Sequence, residues 1–375
     1  MAQKIDWKSN GKTLKLSIEK IRLKDLESFV QSETFQHFAT IPITDLRVKS
    51  YLNNPHAQLE DVVLYFGFVE KQLVAFRSLF AERIISEGGP IRFAWCSGNW
   101  VHPDFRRKGF SEQLLNEAFS DWNGKLMFTN YAPNSEQLYL KTGKFQTVHQ
   151  FHGFRGYLFP KTRKLVPGAN KNHVTKFVSS LIDAVITASS SIRILFFLAK
   201  PNPDFRFETI HIPDDECYQI LQNKKHNHFF GRGEEELKWI FQFPWISKQH
   251  QPESEKYPFS SYSTSFFYQT IKIFRRNELT GFFIFSVREG HLKTLFFHIP
   301  EEVGQEVAKY LIQFCVKQKI EVATVYNSEV AQHLFSRKFP FLRTKKYGQK
   351  IYSSFEIKNS NNYQFQDGDG DVIFT

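Results

Sequence analysis

Two short stretches far apart in the chain begin and finish alike. NSEQLYLKTGKF (134–145) and NSEVAQHLFSRKF (327–339) share Asn-Ser-Glu at the start and Lys-Phe at the end. Each follows a strand-like run, KLMFTNYA in the first case and IEVATVY in the second. A match at the same place in the same order of elements points to an internal repeat rather than to chance. The chain is therefore expected to build one α/β unit twice.

The first copy reads as strand, helix, a meander of strands, helix, strand, helix. LKLSIEKI is strand-like and LKDLESFVQSETFQHF has helical periodicity, while VVLYFGFVEKQLVAFRSLFAERI alternates as two strands joined at Glu70–Gln72. IRFAWCSGNWVH is a further strand that stops at Pro103. Beyond Gly109, the residues Phe110, Leu114, Leu115, Ala118, Phe119 and Trp122 form the apolar stripe of a helix, which Asn123-Gly124 ends. The second copy repeats this outline in KIFRRNELTGFFIFSVREGHLKTLFFHI, EEVGQEVAKYLIQFCVKQ and IEVATVY. We divide the chain at 1–160, 161–203, 204–357 and 358–375: two α/β units, the connector between them and a tail.

The connector carries a run, VTKFVSSLIDAVITASSSIRILFFLA, long enough to cross a bilayer if it were uniformly apolar. Lys176, Asp183 and Arg193 interrupt it. Phe177, Leu181, Ala184 and Val185 recur at helical spacing, so the expectation is an amphipathic helix packed on a domain, ahead of a membrane-surface element or a transmembrane segment. The tail QDGDGDVIFT has alternate aspartates, Asp367, Asp369 and Asp371, but lacks the distal glutamate of a calcium loop and reads as a docked terminus.

The 375 residues carry a formal charge of +11, which favours anionic partners without choosing among them. Cys96, Cys217 and Cys315 are far apart and odd in number, so no disulfide framework or metal site is expected. With no signal-peptide core at the N-terminus, a cytoplasmic location follows. The 41 phenylalanines predict thick aromatic cores.

The stretch VHPDFRRKGFSEQLL (101–115) is the chemical signal. A strand ending at a proline, then a basic turn with glycine, then a helix, puts backbone N–H groups at the positive end of a helix dipole, where phosphate is stabilised. It lacks the Gly-Lys-Ser/Thr ending of a nucleotide P-loop and the spaced glycines of a dinucleotide fold. A solvated basic turn before a surface helix is the alternative on these letters.

This stretch resembles the acetyl-CoA loop of the GCN5-related N-acetyltransferase superfamily. Val101 and Pro103 match that family's strand end, Arg106 its first loop position and Gly109 its central glycine, with Ser111 replacing the last small residue. Asn134, Tyr139, Gly143 and Phe145 match its following strand-and-helix element. The resemblance implies tandem acyltransferase folds, with mixed, mostly antiparallel sheets flanked by helices, and acetyl-CoA as cosubstrate. It also implies that the loop Arg106, Arg107, Lys108, Gly109, Phe110 and Ser111 binds pyrophosphate, and that Trp100, Val101 and His102 hold the pantetheine arm. Asn134 would contact the pantetheine or acceptor region, and Tyr139 would protonate the departing thiolate.

The expected function is N-acetyl or short-acyl transfer to an amine on a small molecule or peptide, with no role for nucleic acid. An aminoacyl transferase drawing on tRNA and a noncatalytic CoA-binding sensor are the alternatives. His102, Glu82 and Glu87 lie near plausible cleft edges, but none is assigned as the base. In the second copy, Glu301, Glu302 and Glu306 stand where the basic turn should be, and acidic groups there repel phosphate. That copy is expected to be degenerate.

Overall fold

The computed structural model describes residues 5–9, 12–130, 133–162, 173–195, 202–223, 227–337 and 339–375. Among the described residues, thirteen strands form a mixed, mostly antiparallel sheet. The first half contributes β1 (Ile5–Ser9), β2 (Lys12–Arg22), β3 (Val62–Val69), β4 (Gln72–Ile84), β5 (Ile91–Val101), β6 (Leu126–Thr129) and β7 (Gln146–Tyr157). The second half contributes β8 (Phe205–Ile210), β9 (Phe266–Arg275), β10 (Glu278–Arg288), β11 (His291–His298), β12 (Val322–Val325) and β13 (Arg343–Ser353).

The repeat is visible in local geometry. β3 and β4 are joined by the two-residue loop Glu70-Lys71, and β9 and β10 by Arg276-Asn277; all four residues have positive φ. That is the backbone handedness a two-residue hairpin needs to match the twist of its strands. In each half a helix then leads to a short strand parallel to the third strand of the meander. α4 (Phe110–Asp121) precedes β6, which pairs with β5, and a longer helix (Gly304–Lys317) precedes β12, which pairs with β11.

The halves are not side by side. The strand order in the middle of the sheet is β6-β13-β7-β12, so each half's last strand is inserted next to the other half's short strand. β7 and β13 run antiparallel from Arg343↔Tyr157 to Ser353↔Gln146. Tyr352 of β13 thereby enters the first half's core and stacks on Phe128 at 4.6 Å, while Phe154 of β7 lies in the second half's core. The two units divided in sequence at residue 160 are interleaved in space.

Two helices between β2 and β3, α1 (Leu26–Gln31) and α2 (Glu33–Gln36), form where one long helix was expected; α3 (Asp45–Leu52), which follows them, was not foreseen. Ser32 breaks the first pair by capping α2, its hydroxyl accepting from Phe35 N. α5 (Pro133–Lys141) follows β6, and the connector helix α6 (His173–Leu195) is 23 residues long.

The orientation of α6 reverses expectation. Phe177, Leu181, Ala184 and Val185 face solvent, Val185 being 69% exposed, and the polar side turns inward. Ser190 donates to the carbonyl of Leu158, Arg193 donates to the carbonyls of Pro340 and Phe341, and Asp183 accepts from Thr162. Uncapped carbonyls at strand ends need donors, and the serine face supplies them. By length and composition Thr175–Ile194 could also cross a membrane.

Three further helices follow β8: α7 (Asp215–Asn223) packs on β10, α8 (Glu234–Gln242) brings Trp239 against Phe80 of β4, and α9 (Glu253–Lys256) bonds to Ile41 and Asp45 of the first half. α10 (Gly304–Lys317) and α11 (Ser328–Ser336) are the second-half counterparts of α4 and α5. The tail docks, as expected. Phe374 stacks on Trp245 at 4.4 Å and meets Trp239 of α8 and Phe80 of β4 edge-on.

Candidate active site

β5 and β6 pair only at Ala94↔Leu126 and Trp95↔Met127 and then diverge. Past that point β5 is bonded to β4 alone, so a wedge opens between its Cys96–Val101 segment and the end of β6. The pairing with β4 is irregular here: Gly98 pairs with Ser78 and Cys96 with Leu79, leaving Ser97 as the bulged residue. The wedge widens into a cavity of about 330 Å³ lined by β5 (Cys96 to Asn99), Thr129, Tyr139 of α5, and residues of the second half and tail, among them Arg288, Lys293 and Asp371.

At the outer end of β5 the chain turns through Pro103–Phe105 into the loop before α4. Arg107 (φ 63°) and Gly109 (φ 78°) both adopt left-handed backbone. A β-carbon at Gly109 would meet nothing within 4 Å, so the loop is an open cradle. The amides of Arg107 to Ser111 donate to no acceptor among the described residues. Unspent N–H groups at the start of a 12-residue helix are an anion site in waiting. Arg106 and Arg107 are exposed around it; Arg106 Nε donates to the carbonyl of Val101, and Lys108 lies over the Phe105 ring. Phe110 is buried in the core and fixes the helix start.

Trp100 stacks on Phe76 and meets His102 edge-on, while His102 N donates to the carbonyl of Val74 and its Nδ1 accepts from Asp104 N. These contacts hold the strand end rigid. Asn134 lies in the first turn of α5, but its side chain is outside the described residues.

Tyr139 is brought to the cavity by α5 and is only 3% exposed. Its ring lies 4.3 Å from that of Phe128, and its hydroxyl accepts from Arg77 Nη1 at 2.8 Å. Burial raises the phenol's pKa, and the Arg77 charge only partly opposes this, so Tyr139 is a neutral phenol at physiological pH. Arg77 itself is fully buried in β4. Its Nη2 donates at 3.3 Å to Asn99 Oδ1 and to the carbonyl of Ser111. Ser111 Oγ donates to Asn99 Oδ1 at 2.6 Å. Asn99 lines the cavity, and Ser111 belongs to the loop, so cradle and cavity are one hydrogen bond apart.

Sequence reading did not single out Arg77, Asn99, Ser97, Arg47 or Lys293, and it considered Asp371 only as part of the tail's alternate aspartates. The signal available for Arg77 was a charge inside VAFRSLFA, a stretch otherwise apolar enough for a doubly buried strand. Of the base candidates, Glu82 is not at the surface: it is fully buried, 3.1 Å from His56 Nε2 and 3.3 Å from Arg232 Nη1. Glu87 is exposed and accepts from Asn359, and His102 caps the turn. None of the three lines the cavity.

In the second half the equivalent wedge, between β11 and β12, is filled by the tail. Asp367 accepts from Tyr326 N at 2.6 Å and from Thr294 Oγ1, Gly368 N donates to the carbonyl of Leu295 at 2.7 Å, and Gln366 Oε1 accepts from Phe297 N. A β-carbon at Gly368 would lie 2.9 Å from that Leu295 oxygen, so only glycine allows this approach. Gly304, at the counterpart of the cradle, has ordinary helical backbone and packs on Glu329. The tail aspartates thus serve the protein's own donors, and no group of three metal-ligating side chains occurs among the described residues.

No family model and no curated protein matches the sequence. The solved structures to which the chain is similar include three that match about nine-tenths of its length. One is a GCN5-related N-acetyltransferase from Anabaena variabilis ATCC 29413, with 10% identity, TM-score 0.47, and 90% of this chain and 72% of that one covered. Another is a tandem GNAT protein from the clavulanic acid biosynthesis pathway, solved without acetyl-CoA, with 9% identity, TM-score 0.47, and 91% and 99% covered. The third is a conserved protein of unknown function from Enterococcus faecalis V583, a probable N-acyltransferase, with 8% identity, TM-score 0.49, and 93% and 74% covered. By its own geometry the chain is a mixed α/β protein of two interleaved halves, with one splayed-strand cleft open and its counterpart filled.

Proposed function

We propose that the protein is an acyl-CoA-dependent N-acyltransferase that moves acetyl, or another short acyl group, to an amine. The observation that carries this reading is the run of uncommitted amides at the Gly109 turn, joined through Ser111 and Asn99 to a cavity that holds a neutral, buried tyrosine. Acetyl-CoA, when bound, supplies an activated thioester.

The chain's own residues would do the rest. The amides of Arg107, Lys108, Gly109, Phe110 and Ser111 hold the pyrophosphate, with Arg106 and Lys108 adding charge. The strand end Trp100–His102 would hold the pantetheine arm, and Asn134 is proposed for the pantetheine or acceptor region. Tyr139, which lines the cavity, holds its proton at Oη and would donate it to the departing thiolate. Arg77 fixes the direction of that hydroxyl. The second half lends walls to the cavity rather than a second cofactor site. A cytoplasmic location, where the cosubstrate is made available, belongs to the same proposal.

The test is release of free CoA thiol when the full chain is given acetyl-CoA and a panel of amines. Turnover with any amine above the amine-free rate supports the reading; a folded protein that binds acetyl-CoA yet never releases thiol favours the sensor alternative.

A further inference from the structure

The cavity is more cationic than thioester chemistry requires. Arg47, Arg288 and Lys293 line it, against a single side-chain carboxylate, Asp371. That carboxylate is already engaged: Arg47 Nη1 donates to Ser97 Oγ at 2.9 Å, and Ser97 Oγ donates to Asp371 Oδ2 at 3.3 Å. The Arg47 guanidinium is further held 3.9 Å from the Trp245 ring, so it is a fixed wall.

Arg288 and Lys293 are different. Both are half-buried, and they come from β10 and β11 of the second half. Arg288 Nη2 makes one long bond, 3.4 Å to the carbonyl of Tyr262, and Lys293 has no hydrogen bond or ion pair among the described residues. Burial, with Arg155 and Arg288 nearby, pulls the Lys293 pKa down to about 8 against the opposing charge of Asp371, and burial lowers that of Arg288 against Glu289. Two cations that line the same cavity without an ion pair of their own among the described residues are stabilised by an anion placed between them.

We propose that this wall of the cavity binds the acid group of the acceptor, and that the acceptor is therefore an amine that also carries a carboxylate or a phosphate. The inference rests on the acyltransferase reading for the word acceptor, but the anion site itself does not. The turn at Gly109, proposed to hold the cofactor's phosphates, does not line this cavity and reaches it only through Ser111 and Asn99, so the cations of the second half are left for the other substrate. The geometry also gives the filled second half a purpose: its strands supply specificity to the first half's cleft.

The experiment is calorimetric titration of the full chain with three short amines of similar length: propylamine, β-alanine and O-phosphoethanolamine. It is repeated on Lys293→Met and Arg288→Gln variants, with acetyl-CoA binding and thermal unfolding as controls for the fold. An acid-bearing amine should bind about tenfold or more tighter than propylamine, and each variant should lose about tenfold of that binding while keeping acetyl-CoA affinity. A preference for β-alanine assigns the site to a carboxylate, and one for O-phosphoethanolamine to a phosphate. Equal binding of all three amines, or acid-group binding untouched in folded variants, overturns the proposal. Acid-group binding that the variants lose, in a protein that releases no thiol with any amine, upholds the anion site and removes the acyltransferase reading instead.

Discussion

Arg77 and Tyr139 form a donor–acceptor pair 2.8 Å long at the bottom of the cleft, with the arginine wholly buried. The pair joins β4 to α5, and through Asn99 and Ser111 it also holds β5 and the first turn of α4. One guanidinium therefore sets the relative positions of the strand end, the loop and the phenol. Tyr139→Phe is expected to retain acetyl-CoA affinity and to lose roughly 10²-fold or more in turnover. Steady-state thiol release with a saturating amine measures it, and an unchanged rate would remove Tyr139 from the chemistry.

Arg77→Met takes the donor away from four acceptors in one step: Tyr139 Oη, Asn99 Oδ1, and the carbonyl and hydroxyl of Ser111. Leaving buried acceptors unsatisfied costs about 1–3 kcal/mol each way such a network can fail. Denaturant unfolding should show a loss of that order, together with weaker acetyl-CoA binding because the first turn of α4 is no longer tied to β5. Arg77→Lys should not restore binding, since an ammonium cannot reproduce the forked contact.

A second buried network joins the halves away from the cleft. His56 Nε2 lies 3.1 Å from Glu82 and 3.2 Å from Glu236 of α8, and Arg83 donates to Glu236 at 2.8 Å. Burial alone would lower the His56 pKa, but Glu236 and Glu82 outweigh it and raise it from 6.5 to about 9. Burial alone would raise the Glu236 pKa, yet His56 and neighbouring amides hold it down from 4.5 to about 2. A raised pKa on a base means stability that is complete below pH 6.5 and is lost as pH rises through 9; a depressed carboxylate means stability present above pH 4.5 and lost toward 2. The melting temperature should therefore fall on both sides of the window from 4.5 to 6.5. The gap between wild type and His56→Gln should be widest inside that window and narrow by pH 9.5. A gap independent of pH would show that the imidazole acts by packing alone.

The tail is predicted to be structural. Phe374 packs among Trp245, Trp239 and Phe80 with no exposed surface. Phe374→Ala should cost about 3–5 kcal/mol. Because Asp371, Val372 and Thr375 line the cavity, the same change should also weaken amine binding. Unaltered unfolding would contradict the docking described here.

The turn before α4 was legible in sequence because its geometry is local. Pro103, the basic turn and Gly109 are consecutive, and their spacing to Tyr139 is set by one helix and one strand. Arg77 was not legible, because its partners lie on three other elements and its own strand reads as a plain apolar run. The strand exchange was invisible for a related reason: β7 and β13 have the same alternation whichever neighbour they pair with, and register between distant strands leaves no local mark. The connector helix misled in a specific way. Its apolar stripe suggested the buried face, but Ser190 and Arg193 were needed to satisfy carbonyls of Leu158, Pro340 and Phe341.

The most direct test of the account is calorimetric titration of acetyl-CoA into the wild type and into Gly109→Trp. Gly109 has φ 78° and an open cradle above it, so an indole there strains the turn and fills the space where pyrophosphate would sit. Saturable one-to-one binding by the wild type, abolished in a variant that still unfolds cooperatively, is the predicted result. Absence of binding by the folded wild type, or undiminished binding by the variant, would contradict it.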